Sequence, residues 1–375
     1  MRIIKNAKIH TAVDPVTIAG DILIKEGKIA QIGQNLASDG AEIYDVAGMD
    51  VYPGFIDAHT HIGMFGFSAP ATQDDVDLYN RCAPQQRGID CINPEEPSFR
   101  EAVQAGVTCV CVGPGSVSCM GGTHVALKTH GYRVDDMVVK NPVAMKIAFG
   151  ENPKKASQDR ISTRMAIAST IRDALGGAKE YLAQKETGAA KYDPKMEALI
   201  PVVKKEIPLK AHAHRKDDIF TAIRLAKECD VFLTLEHASD CKGIAADLAK
   251  EGYAIAAGPF ISQPKKAENQ NSDPANTVAL IEAGCSVSVM TDSPIVAEKY
   301  LPLCAGLLMR EGLDEFRALQ TITVNPAKHL GISDRVGSIE VGKDADLVIT
   351  RGCPMGMTVK PEAVFVNGQL VFSKA

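Results

Sequence analysis

From Pro53 to Asp334 the chain alternates short apolar runs with amphipathic stretches, and this pattern limits the fold more than any other feature. Residues 107–112, 144–149, 208–212, 231–236, 253–257 and 286–290 read as buried strands. Residues 98–105, 164–182, 195–206, 217–229, 276–283, 301–309 and 314–323, and a stretch ending at 250, read as helices. Strands alternating with helices over this length predict an α/β fold, a parallel TIM-like (β/α)8 barrel, which takes ~250 residues as one domain. A doubly wound open sheet is the runner-up, but no GxGxxG follows a strand to support it.

The two ends of the chain resemble each other and not the middle. Residues 2–34 alternate apolar and polar around a tight turn at Glu26-Gly27-Lys28. Residues 337–349 and 364–372 repeat the style, with Asn367-Gly368 between apolar runs as a type I′ hairpin signal. Neither end has enough strands to bury a core alone. The expected organisation is a small composite β-sandwich from 1–52 and 335–375, with the barrel over 53–334.

Composition narrows the partners. A net charge of −5 argues against nucleic acid and anionic membranes. No apolar run reaches the ~18 residues of a membrane span, and the start of the chain lacks a signal-peptide pattern. The ten cysteines form no CxxC pair and read as buried reduced thiols, so a cytoplasmic location is expected.

Chemistry-bearing residues cluster at strand ends, where barrels carry their active sites. The first barrel strand runs into Pro53-Gly54-Phe55-Ile56-Asp57-Ala58-His59-Thr60-His61. In a strand His59 and His61 share a face, a simple way to hold a divalent cation. Later strands end in Lys210-Ala211-His212-Ala213-His214, Glu236-His237 and Thr291-Asp292. Five of the nine histidines thus fall at strand ends, with a carboxylate in the same register. Imidazole and carboxylate suit zinc, and also manganese or iron.

The motifs PGFIDAHTH (53–61), KAHAH (210–214), LEHA (235–238), MTDSP (290–294) and VNPAKHLGI…GSIEVGKDADLVI (324–349) together resemble the amidohydrolase superfamily, in its imidazolonepropionase-like branch. The resemblance implies a metal-dependent hydrolase binding one or two divalent ions. His59 and His61 would bind the more buried ion, and His237 with His212 the more exposed one. His214 would then lie behind the ligands or face substrate. Asp292 would touch metal and shuttle the proton. Three options stay open at the fourth strand: a carbamylated Lys146, a bridging Glu151, or a single ion without a bridge. A bound cation would bring the pKa of water from 15.7 toward ~7, which suits cleavage of an amide, cyclic amide or dipeptide-like C–N bond. Deaminases of this superfamily usually carry a glutamate three residues after the fifth-strand histidine. Here Arg215 and Asp217 occupy those positions, which demotes deamination of a nucleobase-like ring. A non-catalytic scaffold is the remaining alternative, and relatives of this kind often form homo-oligomers.

The expected partner is a small molecule, and loops would select it. The stretch 62–97 is long for a loop and carries Asp74, Asp75, Asp77, Arg87 and Asp90. Gly113-Pro114-Gly115-Ser116 and Gly121-Gly122-Thr123-His124 read as loop after the second strand, with His124 and Lys128 as candidate substrate contacts. Lys154, Lys155, Arg160 and Arg164 are candidates to clamp a substrate carboxylate, Arg164 first.

Overall fold

The structure is a computed structural model that describes residues 1–65, 73–155 and 162–374. Five strands open the chain: β1 (Arg2–Ile9), β2 (Ile18–Lys25), β3 (Lys28–Gly33), β4 (Glu42–Asp45) and β5 (Asp50–Pro53). Eight follow: β6 (Phe55–Thr60), β7 (Val107–Val112), β8 (Met120–Lys128), β9 (Val138–Ala148), β10 (Leu209–Ala213), β11 (Leu233–His237), β12 (Ile255–Ala257) and β13 (Val287–Val289). β14 (Leu347–Thr350), β15 (Ala363–Val366) and β16 (Gln369–Ser373) close the chain.

The two ends meet in one sheet of order β16-β15-β14-β5-β1-β2-β3, with β4 beside β1. Strand pairing therefore gives a composite sheet where the sequence predicts a sandwich. Both expected hairpin turns form, with left-handed φ at Glu26 (53°), Gly27 (78°), Asn367 (49°) and Gly368 (70°). The turns also touch each other. A Cβ on Gly368 would stand 2.7 Å from Ile24, and one on Gly27 would stand 3.0 Å from the Asn367 carbonyl. Isoleucines of β1 to β3 and Leu347, Ile349 and Phe365 share one apolar core beneath.

β6 to β13 form the second sheet, a nearly closed TIM-like barrel. Its edges meet where Asp292 N–H donates to the His59 carbonyl (3.2 Å) and His61 N–H to the Ser293 carbonyl (2.9 Å). Gly54 lies between β5 and β6, where the chain passes from one sheet to the other, and a Cβ there would lie 2.0 Å from Thr108 Oγ1. The helices fall close to their expected positions, Arg164–Glu186 and Lys216–Glu228 among them.

One expectation fails. The barrel is not uniformly parallel, because β8 runs antiparallel to both β7 and β9. Gly121 to His124 are strand, not loop. β8 is buried along its whole length, so tertiary pairing overrides the loop signal of its two glycines. Reversing β8 also sends Lys128 to the end of the barrel opposite the other strands' C-terminal tips.

Candidate active site

The strand tips converge on one pocket of imidazoles. His61, His214 and His237 each have one nitrogen anchored by a hydrogen bond and the other turned inward. His59 Nδ1 lies 3.3 Å from Glu236 Oε2, His61 Nδ1 2.7 Å from the Gly113 carbonyl, and His237 Nδ1 2.9 Å from the Gly258 carbonyl. His214 Nδ1 meets Ser239 Oγ at 2.9 Å. Outer partners of this kind fix ring orientation and tautomer at metal sites. On the inner side His59 Nε2 and His61 Nε2 approach Asp292 Oδ1 at 3.5 and 3.3 Å. The Nε2 atoms of His212 and His237 are buried without a hydrogen-bond partner among the described residues. Two triads bring one ligand atom each within 4.8 Å: His59-His237-Asp292 and His212-His214-His237.

The electrostatics match the geometry. Burial holds the pKa values of His59, His212 and His214 well below the ordinary histidine range and brings His237 down to about 4. These rings therefore offer lone pairs at neutral pH. Burial opposes the charge on Asp292. In acid, where the rings carry protons, the field of His237, the His61 hydrogen bond and the fields of His61 and His59 outweigh it and hold the carboxyl well below the usual carboxylate range. His237 (φ 71°) and Asp292 (φ 52°) hold left-handed backbone, a strain of order 1–3 kcal/mol each that recurs at functional sites. Neutral imidazoles and a carboxylate with unsatisfied inward atoms fit a divalent cation.

Lys146 belongs to this pocket. It is fully buried with Nζ 3.1 Å from His59 Nε2, and desolvation brings its pKa down to about 8. Glu151 faces elsewhere, with Oε1 accepting the Glu268 N–H at 3.1 Å. Below, Lys210 Nζ reaches Glu236 Oε2 at 2.9 Å and His329 Nε2 meets Glu236 Oε1 at 3.2 Å. This layer holds the carboxylate beneath His59.

A cavity of about 440 Å³ opens above, lined by His61, His212, His214 and Asp292. Gln73, Asp75 and Val76 also line it, so the long segment after His61 does form a wall. Asp75 is buried there and its pKa is raised by desolvation.

Three expected substrate contacts are corrected. His124 is fully buried inside the barrel, its ring 5.5 Å from that of His59, and it does not line the cavity. Lys128 is bonded to Asp346 (2.5 Å) and Asp344 (3.1 Å) at the far end. Arg164 is held by Asp218 at 2.9 Å and does not line the cavity. Arg160 lies outside the described residues. His214 does face the cavity. The cations missed in the sequence are Lys265 and Lys266, on the wall beyond β12. A Pro-flanked lysine pair in the loop after a predicted strand was the available signal.

The amidohydrolase family model matches residues 51–371. The chain belongs to that family. Among curated proteins, amidohydrolase tasK of Hapsidospora irregularis is 25% identical over 94% of this chain and 40% of its own length. The chain thus spans less than half of that relative. The imidazolonepropionase of Phocaeicola vulgatus is 26% identical over 88% of this chain and 84% of its own. Among solved structures, an amidohydrolase from Thermotoga maritima MSB8 superposes with a TM-score of 0.96 at 36% identity, covering both chains fully. Family membership and the imidazolonepropionase likeness match the branch indicated by the motifs. They make this amidohydrolase a hydrolase of carbon–nitrogen bonds. No helix among the described residues is long and apolar enough to cross a membrane.

Proposed function

We propose that the protein is a cation-dependent enzyme that hydrolyses the C–N bond of a small amide, cyclic amide or dipeptide-like substrate. The observation that carries this is the ring of inward-facing nitrogens around Asp292, with His61 and His237 anchored from behind by backbone carbonyls. His59, His61, His237 and His212 would hold the cation, zinc first and manganese or iron as alternatives. Lys146, which touches His59, is favoured over Glu151 as the additional ligand, in carbamylated form. The cation would supply Lewis-acid polarisation and a lowered pKa for water.

The chain's own residues then have distinct tasks. Asp292, ionised, accepts the proton of the attacking water and returns it to the leaving nitrogen. Glu236 keeps His59 in one orientation. The buried walls exclude bulk water, which strengthens each charge interaction inside. His212 is preferred to His214 as ligand because the Lys266 ammonium stands 3.5 Å from His214 Nε2 and disfavours a second cation there. This reading takes 53–334 as the catalytic unit, with the terminal sheet as its support, in a cytoplasmic protein.

The test combines elemental analysis of purified protein with turnover of cyclic amides, N-acyl amino acids and nucleobase-like rings. The expected result is a bound divalent metal and amide cleavage, both lost in His59→Ala. A metal-free active protein would overturn the reading. Ammonia release from the rings alone would favour deamination, and a metal-free inert protein would favour a scaffold.

A further inference from the structure

We propose that Lys266, set by Asn152, Ser116 and Glu268, is an anion-recognition subsite, and that the substrate carries a carboxylate bound there. The inference rests on the hydrolase reading of the cavity and names its substrate class.

The cavity wall beyond β12 has a built arrangement. The Lys266 backbone N–H donates to Asn269 Oδ1 (3.1 Å), and its carbonyl accepts from the Asn269 N–H (3.3 Å). That turn fixes where the side chain leaves the backbone. Lys266 Nζ then donates to Asn152 Oδ1 and to Glu268 Oε1, both at 2.9 Å. An ammonium has three protons. The third points toward His214 Nε2 at 3.5 Å, the longest of its contacts.

The charge is presented from one side. Glu268 is almost fully buried and does not line the cavity, whereas Lys266 lines it. The other oxygen of Glu268 accepts the Glu151 N–H at 2.7 Å, so the carboxylate stays behind the wall. Asn152 couples the lysine to a second donor. Its Nδ2 donates to Ser116 Oγ at 2.6 Å, so the Ser116 O–H is not used in that bond, and Ser116 lines the cavity. Lys266, Ser116 and His214 thus share one wall, with donors held in place before any ligand arrives. A carboxylate matches this, since it only accepts and forms stronger bonds with charged donors. A neutral amide carbonyl accepts the same proton in a weaker bond, because it lacks the opposite charge. His61 and Asp292 line the same cavity, so the carboxylate end and the scissile bond fit one small molecule.

The probes are glutarate and its neutral isostere glutaramide, titrated calorimetrically into the purified holoenzyme. Glutarate is expected to bind wild type about 10–100-fold more tightly than it binds Lys266→Gln. Lys266→Arg should retain most of the affinity, and glutaramide should not distinguish the proteins. Equal glutarate affinity in wild type and Lys266→Gln would overturn the proposal and would assign carboxylate binding to the metal centre. If Lys266→Gln does not fold, the wild-type comparison decides alone: glutaramide binding as tightly as glutarate overturns the proposal. Failure of the hydrolase reading would show as absent turnover of every amide tested, and the glutarate titration would still report on Lys266.

Discussion

Three lysines lie inside one barrel, and their partners change from end to end. Lys128, at the end away from the active site, meets two carboxylates, Asp346 at 2.5 Å and Asp344 at 3.1 Å. Arg335 and Lys28 add further bonds to Asp344 (2.8 and 3.1 Å). Lys210, midway, meets one carboxylate, Glu236 at 2.9 Å. Lys146, among the histidines, has none within 4 Å among the described residues and touches only an imidazole nitrogen. A fully buried amine without a counter-charge is costly unless something else completes it. The closed end is charge-matched and serves stability. At the histidine end the buried amine has an imidazole nitrogen as its hydrogen-bond partner instead of a carboxylate.

That contrast can be broken by experiment. Lys146→Met should lower turnover and bound metal strongly, with a drop in kcat of ~100-fold or more, while the melting temperature holds or rises. A variant with normal metal content and kcat would move Lys146 out of the site. Lys128→Met should do the reverse. Stripping the partner from buried Asp344 and Asp346 should cost about 3–5 kcal/mol in denaturant unfolding, with metal content per folded protein unchanged.

Acid should probe the same end. Burial raises the Asp344 pKa, but the Lys128 charge and its hydrogen bonds with Lys28 and Lys128 outweigh this and hold it below 3.8. Its contribution is therefore present above pH 3.8 and fades as pH falls through the lower folded value. Lys128 is raised above 10.5, because its carboxylates outweigh desolvation, so its contribution is lost only as pH rises past that. Asp344→Asn should flatten the acid limb of stability against pH and leave the neutral activity profile in place. An unchanged acid limb would show that Asp344 does not carry it.

Two smaller effects grade the comparison. Glu236→Gln, between the two ends, should weaken metal affinity ~10–100-fold by loosening His59, measured by competition with a chelator. Gly368→Ala, on the terminal sheet, should lower stability by about 1 kcal/mol or more through its φ of 70° and the contact with Ile24, with kcat intact.

Some of this was legible before any coordinates. The Asn367-Gly368 and Glu26-Gly27 turns are local chemistry, so their hairpins were readable residue by residue. His59, His61, His212, His237 and Asp292 were readable because period-two strands and a barrel's strand ends place them together. β8 was not readable, since its glycines resemble a loop and only pairing with β7 and β9 makes it a strand. Lys128 and His124 were misplaced for that one reason. A reversed strand carries Lys128 to the wrong end and sinks His124 beneath the histidines. Arg164 was a fair candidate by position, but Asp218, fifty-four residues along the chain, claims it.

The sequence alone determined the α/β barrel, the joining of the two ends and the set of histidines and the aspartate at the strand ends, because each is written in short-range periodicity or a local motif. Only the tertiary structure decided which lysine is paired and which is left open, and that Lys266 rather than Arg164 faces the cavity. Those outcomes depend on strand direction and on partners tens to hundreds of residues away, and burial makes each such pairing energetically decisive.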